Sequence, residues 1–361
     1  MTSKGTHMKK LIVLATLAAL PAAAMADVVI SGDIGVTVRN VKDKDDGQKN
    51  SANQMDRQTG QIVFSAKEDL GNGLKAIWQV ANRIDVSGNE TNNWHGRDTF
   101  IGLEGDFGKV RLGKLSNPIN SGYGSVSPFY ELDMNGDGVY LVGEERLANS
   151  VRYDSPSIAG FSAAASVQLK PEASGDNTQN DHAAPYGVGF GLKYENGPIL
   201  VSYGRTEMKD QLGANLNGSF ELEANADGDF EAVNVQGGKT TSNMFNVVYS
   251  ADNLTAGFGY GDAKYSDQDT NAKQRGYGVF ASYAMGNITP AVSFWKEGKA
   301  KIDGDTVLGS YNVVSVGVDY ALSKRTSAGV ELQFQSGRKN EATDEKTGKK
   351  QISAVYLTTK F

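Results

Sequence analysis

Cysteine is absent from the chain, and histidine and proline are scarce, at three and eight of 361 residues. Without thiols there is neither a disulfide framework nor a thiolate metal site. The three histidines, His7, His95 and His182, are far apart, no GxSxG or P-loop pattern occurs, and no nucleophile is paired with a base. Nothing therefore points to an enzyme. Long apolar runs are also lacking: residues 11–26 are the sole candidate for a membrane helix, which needs about 20 apolar residues. Basic residues are outnumbered, at 36 against 42 acids, which argues against a nucleic-acid binder. What the chain does have is 14 Phe, 15 Tyr and 3 Trp, too many for disorder, and 43 glycines. Its length suits two soluble domains or one large β-barrel.

The N-terminus indicates the compartment. Lys9 and Lys10 precede the uncharged stretch Leu11–Ala26, which closes on Ala24, Met25 and Ala26. A basic start, a short apolar run and a small-x-small ending form the layout of a secretory signal peptide. Pro21 interrupts the run, which argues against a membrane anchor. Residues 1–26 are thus expected to be a signal peptide with an N-terminal extension, and 27–361 the mature protein. Cleavage removes three lysines and no acid, taking the net charge from −6 to −9.

Beyond Ala26 the pattern has period 2, the mark of strands with two chemically different faces. In the first run Val28, Ile30, Ile34, Val36 and Val38 alternate with Ser31, Asp33, Thr37 and Arg39. Leu74, Ala76, Trp78 and Val80 alternate with Lys75, Gln79 and Arg83, and the last run sets Val355, Leu357, Thr359 and Phe361 against Tyr356, Thr358 and Lys360. Sixteen such segments are predicted, at 27–40, 56–68, 74–87, 96–104, 108–114, 148–155, 160–170, 185–195, 198–207, 241–251, 253–265, 275–285, 288–297, 311–321, 325–336 and 350–361.

The links alternate as well. After even segments they are a few residues, as at 69–72, 105–107, 195–198 and 251–253. After odd segments they are long and polar, as at 41–55, 115–147, 171–184, 208–240 and 337–349. An even strand count with short turns at one end and long loops at the other describes an all-β, antiparallel transmembrane barrel of the outer membrane. The faces agree. Arg39, Lys75, Gln79, Arg83, Arg111 and Arg152 fall on the polar phase, where a dry core would cost several kcal/mol per uncompensated charge. A water-filled lumen accommodates them, and the apolar phase then meets lipid. Tyr153, Phe161, Tyr194, Tyr203, Tyr249, Phe280 and Tyr283 gather near segment ends, as an interfacial girdle requires.

Several blocks resemble the general-diffusion porins of the neisserial and β-proteobacterial type: residues 27–38, 73–88, 97–115 and 149–168, with the terminal Phe361. The resemblance covers the whole mature chain and is best in its first half. It implies a sixteen-stranded barrel assembled as a homotrimer, with the third loop folded into the lumen as a constriction. It also implies that Phe361, with outward Leu357 and Thr359, serves as the signal read by the barrel assembly machinery.

The constriction loop, about 115–147, contains Glu131, Asp133, Asp137, Glu144 and Glu145, with Arg146 its one base. Against it stand lumen-phase Arg39, Lys75, Arg83, Arg111 and Arg152. An acidic loop facing a basic wall sets a transverse field that sorts solutes by sign, and a ring of arginines at the narrow point favours anions weakly. The same arginines also read as residues solvated by the lumen or supporting the loop.

Within the loop, Asp133, Asn135, Asp137, Gly138 and Glu144 match every fixed position of D-x-[DN]-x-[DN]-G-x₅-E, with Val139 at the carbonyl-donating seventh place. That set suits a structural calcium ion. No amphipathic helix precedes it, and Leu141 at position nine cannot ligate, so an acidic glycine-rich turn is the other reading. No cofactor is otherwise required. The function expected is a passive pore for ions and small hydrophilic solutes, set in outer-membrane lipid. The alternative is a barrel acting mainly as an adhesin or receptor through its long loops. A barrel-embedded hydrolase is disfavoured by the absent catalytic set.

Overall fold

The computed structural model describes residues 27–45, 48–88, 96–121, 146–169, 187–209, 221–224, 230–232, 238–266, 271–341, 344 and 346–361. Sixteen antiparallel strands form the wall. They are β1 (Val29–Asp45), β2 (Gln48–Gly71), β3 (Leu74–Arg83), β4 (Thr99–Gly105), β5 (Gly108–Ser116), β6 (Arg146–Asp154), β7 (Phe161–Gln168) and β8 (Gly187–Asn196). There follow β9 (Ile199–Lys209), β10 (Lys239–Ala251), β11 (Leu254–Ser266), β12 (Asn271–Tyr283), β13 (Ile288–Glu297), β14 (Tyr311–Ala321), β15 (Thr326–Gln335) and β16 (Lys349–Lys360). Each strand pairs with its sequence neighbours, and β1 pairs with β16 from Asp33 opposite Lys360 to Lys44 opposite Lys349, so the sheet closes with no free edge. Beyond Lys360, the Phe361 N–H donates to the Gly32 carbonyl at 3.0 Å and the Gly32 N–H returns the bond at 3.1 Å.

Closure leaves no unpaired strand edge facing the membrane interior. The outer face is the apolar phase of the sequence: Ile101, Leu112, Val188, Phe190, Leu192, Val279, Val316, Val330, Val355 and Leu357 are all exposed. The inner face holds buried polar groups, among them Thr37, Arg152, Ser202, Thr206, Asn246, Glu331 and Gln333.

The structure corrects the expectations in three places. The segment 41–55 is not a loop: β1 runs on to Asp45 and β2 starts at Gln48, continuing one ladder to Asp45 opposite Gln48. Above the membrane both faces of a hairpin meet water, so the ladder persists while its period-2 signature disappears. Strand β3 stops at Arg83 rather than at 87. Phe280, assigned from sequence to the outer girdle, points inward and is 6% exposed; on β12 the even positions face the lumen, and glycine at 257 on the neighbouring strand leaves room for its ring. Of the remaining girdle residues, Tyr153, Phe161, Tyr249 and Tyr283 are exposed on the outside, and Tyr194 and Tyr203 are half-buried.

On its far side the inner face also carries an apolar cluster. Met244 and Val248 on β10, Ala263 on β11, Phe280, Trp295 on β13, and Tyr311 and Val313 on β14 form a buried cluster joined by Ile119. Ile119 belongs to the single turn of 3-10 helix, Pro118–Asn120, that follows β5. This turn lies against β7, β8 and β9, and a Cβ placed on inward-facing Gly189 would meet the Pro118 ring at 2.7 Å. The chain therefore leaves β5 by turning inside the barrel.

Candidate functional site

The inner face of β2–β6 lines a cavity of about 1220 Å³ whose walls include Gln79, Arg97, Phe100, Arg111, Arg146 and Asp154. Register explains its charge. Arg111 on β5 stands opposite Arg152 on β6 and Lys109 opposite Asp154, so three cations and one carboxylate share two adjacent inward rows. Two guanidiniums converge on that carboxylate. Arg111 Nη2 reaches Asp154 Oδ2 at 2.6 Å, and Arg152 Nη2 reaches Oδ1 at 2.6 Å while its Nε donates at 3.0 Å. Arg152, 3% exposed, spends its remaining nitrogen on the Ser116 carbonyl at 2.7 Å and on the Ser121 hydroxyl. It thereby ties the base of the inward-turning link to the wall. Arg111 keeps more freedom and lies 5.2 Å over the Phe100 ring.

A kink in β6 makes this geometry possible. Asn149 adopts φ 53°, and opposite it the register shifts between Gly113 and Leu115, so that Arg146 is re-aimed. A bulge of this kind redirects side chains, and asparagine tolerates the left-handed conformation. Arg146 Nε then donates to Asp98 Oδ1 at 2.8 Å, an oxygen that also accepts from the Ser116 hydroxyl at 2.6 Å. Nearer the short-turn end, Glu104 takes both Lys67 at 3.1 Å and Lys109 at 3.4 Å.

The sequence-derived candidates separate into groups. Arg111, Arg152 and Arg146 come together around the root of the link. Arg83 ends β3 opposite Gln61, which bridges to Asp33 on β1 at 2.8 Å. Arg39 lies on the buried phase of Thr37 and bonds Gln54 at 3.0 Å. Lys75 stands apart: it is next to the turn, opposite Asp69 and Glu104, and eight residues from Arg83, or about 26 Å along the strand. Glu131, Glu145 and the calcium motif Asp133, Asn135, Asp137, Val139 and Glu144 lie outside the described residues.

Sequence reasoning missed Asp154, Asp98, Glu104, Lys67 and Lys109. For Asp154 a signal existed, since it follows Arg152 by two residues and must share its face. Asp98 had none: it falls in the predicted segment 96–104, but the strand starts at Thr99, so alternation does not set its direction.

The family profile described as Gram-negative porin matches residues 12–340. The major outer membrane protein P.IB of Neisseria sicca is 35% identical over 357 residues, spanning 94% of this chain and 98% of the relative. Among solved structures, an anion-selective porin from Comamonas acidovorans superposes with a TM-score of 0.70 at 18% identity, covering 93% of this chain and all of that one. The trimer form of OmpT from Vibrio cholerae does so with a TM-score of 0.66 at 14% identity, covering 93% and 99%.

Proposed function

Because the chain belongs to the Gram-negative porin family, and so is a passive diffusion channel of the bacterial outer membrane rather than an enzyme, we propose that its selectivity is set by a charged constriction at the root of the β5–β6 link. One observation carries this reading: Arg111 and Arg152 share the single carboxylate of Asp154 on the lumen wall, where Pro118 and Ile119 turn inward. Two guanidiniums against one carboxylate leave a net positive charge beside the path. Confined fixed charges act strongly on ions, so the pore prefers anions weakly. The acids of the link, Glu131 and Glu145 among them, supply the opposite pole of a transverse field, with Arg39 and Arg83 extending the basic wall. Reversal potentials in planar bilayers across a salt gradient test this; a cation-selective pore refutes it.

The same proposal includes assembly as a homotrimer, supported by the trimeric form of the structural relative. It includes export with cleavage after Ala26, checked by the mass of the mature chain, and recognition of Phe361 by the barrel assembly machinery. A structural calcium ion on Asp133, Asn135, Asp137, Val139 and Glu144 would pin the link. Calorimetric titration tests it, and equal heats from the parent and Asp137→Ala end the idea.

A further inference from the structure

One oxygen atom fastens the root of the β5–β6 link. Ser116 ends β5, Arg146 begins β6, and the two stand opposite each other as the last rung of that ladder among the described residues. The end of a ladder opens at little cost unless side chains hold it. Here the hold comes from a third strand. The strands run β4, β5, β6, and Asp98 immediately precedes β4, on the side of β5 away from Arg146. Its Oδ1 accepts from the Ser116 N–H at 3.2 Å, from the Ser116 hydroxyl at 2.6 Å and from Arg146 Nε at 2.8 Å. A single carboxylate oxygen thus binds both residues between which 117–145 are inserted.

Asp98 is itself held to the wall. Gln79 on β3 donates to its carbonyl at 2.8 Å, and the Arg97 N–H donates to the Ala81 carbonyl at 3.3 Å. Ser116 has no polar group to spare: its N–H and hydroxyl go to Asp98, and its carbonyl takes Arg152 Nη1 at 2.7 Å. Ser116 is buried, and the Asp98 and Arg146 side chains are mostly so. Charge-assisted hydrogen bonds in such a setting are short and strong. The charge account differs from that at Asp154, where two guanidiniums share one carboxylate. Asp98 with Arg146 is a neutral pair, so its contribution to the channel is one of geometry.

We infer that Asp98 is a positioning residue for permeation. It fixes the spacing of Ser116 and Arg146, and through Ser116 it sets where Pro118 meets Gly189 and where Ile119 enters the apolar cluster. This role rests on the reading that the constriction stands at the root of the link.

The test compares variants of the full chain as single channels in planar bilayers, with excess open-channel current noise as the readout. Ser116→Ala alters no charge and removes one hydrogen bond, which should raise the population of a displaced root, and with it the noise, about fivefold. Asp98→Ala removes all three bonds and should be noisier still. Asp98→Asn removes the same charge but keeps an accepting oxygen in place, so it should stay closer to the parent than Asp98→Ala does. The double variant D98A/R146A should be no noisier than D98A, because both substitutions undo one fastening. A residue acting through charge alone gives a different pattern: S116A is as quiet as the parent, and D98A and D98N are equal in noise. Either result overturns the inference, as does plain additivity of D98A and R146A. Heat-modifiable migration on gels shows which variants are folded, and should D98A fail there, S116A and D98N supply the comparison. Reversal potentials of the parent decide the charge-selectivity reading separately, since noise does not enter them.

Discussion

Replacing Asp154 by Asn removes one negative charge from the lumen wall and keeps the side chain's shape. Arg111 and Arg152 then lose their shared counter-charge, although Arg152 retains the Ser116 carbonyl and the Ser121 hydroxyl. Breaking a buried pair by removing one partner costs about 3–5 kcal/mol. The Asp154 side chain is 19% exposed and Arg111 16%, which places the cost at about 3 kcal/mol. The ladders joining β6 to β5 and β7 use backbone groups alone, so the barrel should still assemble. Selectivity should move more visibly than stability. One added positive charge about 6 Å from a passing ion contributes about 0.7 kcal/mol in water before screening. A Debye length of about 8 Å cuts that roughly in half. Anions are then enriched about 1.8-fold and cations depleted about as much, so the anion-to-cation permeability ratio rises about threefold. Arg111→Gln should shift the ratio by a similar factor the other way. Reversal potentials in planar bilayers at about 0.15 M salt measure both. If folded channels of both variants keep the parent ratio, the triplet does not face the ion path and the electrostatic reasoning fails.

Three further outcomes follow from other parts of the molecule. Deleting Phe361 removes the reciprocal backbone bonds to Gly32 at 3.0 and 3.1 Å that seal the junction of β1 with β16, and folded barrel recovered from outer membranes should fall severalfold, as counted by heat-modifiable migration on gels. Ile119→Ala should loosen the inward link by about 2–5 kcal/mol of lost packing, seen as noisier and larger single-channel steps; unchanged traces would show that the apolar cluster does not hold the link. In the β15–β16 link, Lys339 hydrogen-bonds Asp344 at 2.5 Å and Glu341 at 3.2 Å, which lowers the Asp344 carboxyl below its ordinary value and raises the Lys339 ammonium. A depressed folded-state value means this tie is present above the usual carboxylate range and is lost as pH falls through the depressed value. Proteolysis of the link should therefore accelerate only in strong acid, and acceleration already at mildly acidic pH would contradict the pairing.

How much was legible in the sequence depended on solvent contrast across each strand. Where lipid lies on one side and water on the other, alternation was plain: Val355 and Leu357 are outside and exposed, Tyr356 and Thr358 inside and buried. Where the contrast vanishes, the reading failed. The upper halves of β1 and β2 meet water on both faces and were taken for a loop. At the opposite extreme β12 carries apolar side chains on both faces around Phe280, with Val279 outside and Phe280 inside, so alternation there does not separate lumen from lipid. The placement of Phe280 failed for the same reason.

That double-sided apolarity has a functional meaning. The lumen face is not one uniform polar surface but two walls of different chemistry. On β2–β6 the wall is ionic, with Arg111, Arg152, Asp154, Arg146 and Asp98 held in fixed geometry. On β10–β14 it is a packed apolar cluster around Trp295, which is 1% exposed and would be poorly placed facing water. The residues after β5 join the two: Ser116 and Ser121 bind Arg152 on the ionic side, and Ile119 between them enters the apolar side. Six residues, 116–121, thus use hydrogen bonds toward one wall and hydrophobic burial toward the other, and the link is held at its root by both. A mutation on either wall should therefore alter the other's hold on the link. Arg152→Gln and Ile119→Ala, combined, should perturb channel noise by less than the sum of their separate effects if one anchor already frees the link, and by the plain sum if the two walls act independently.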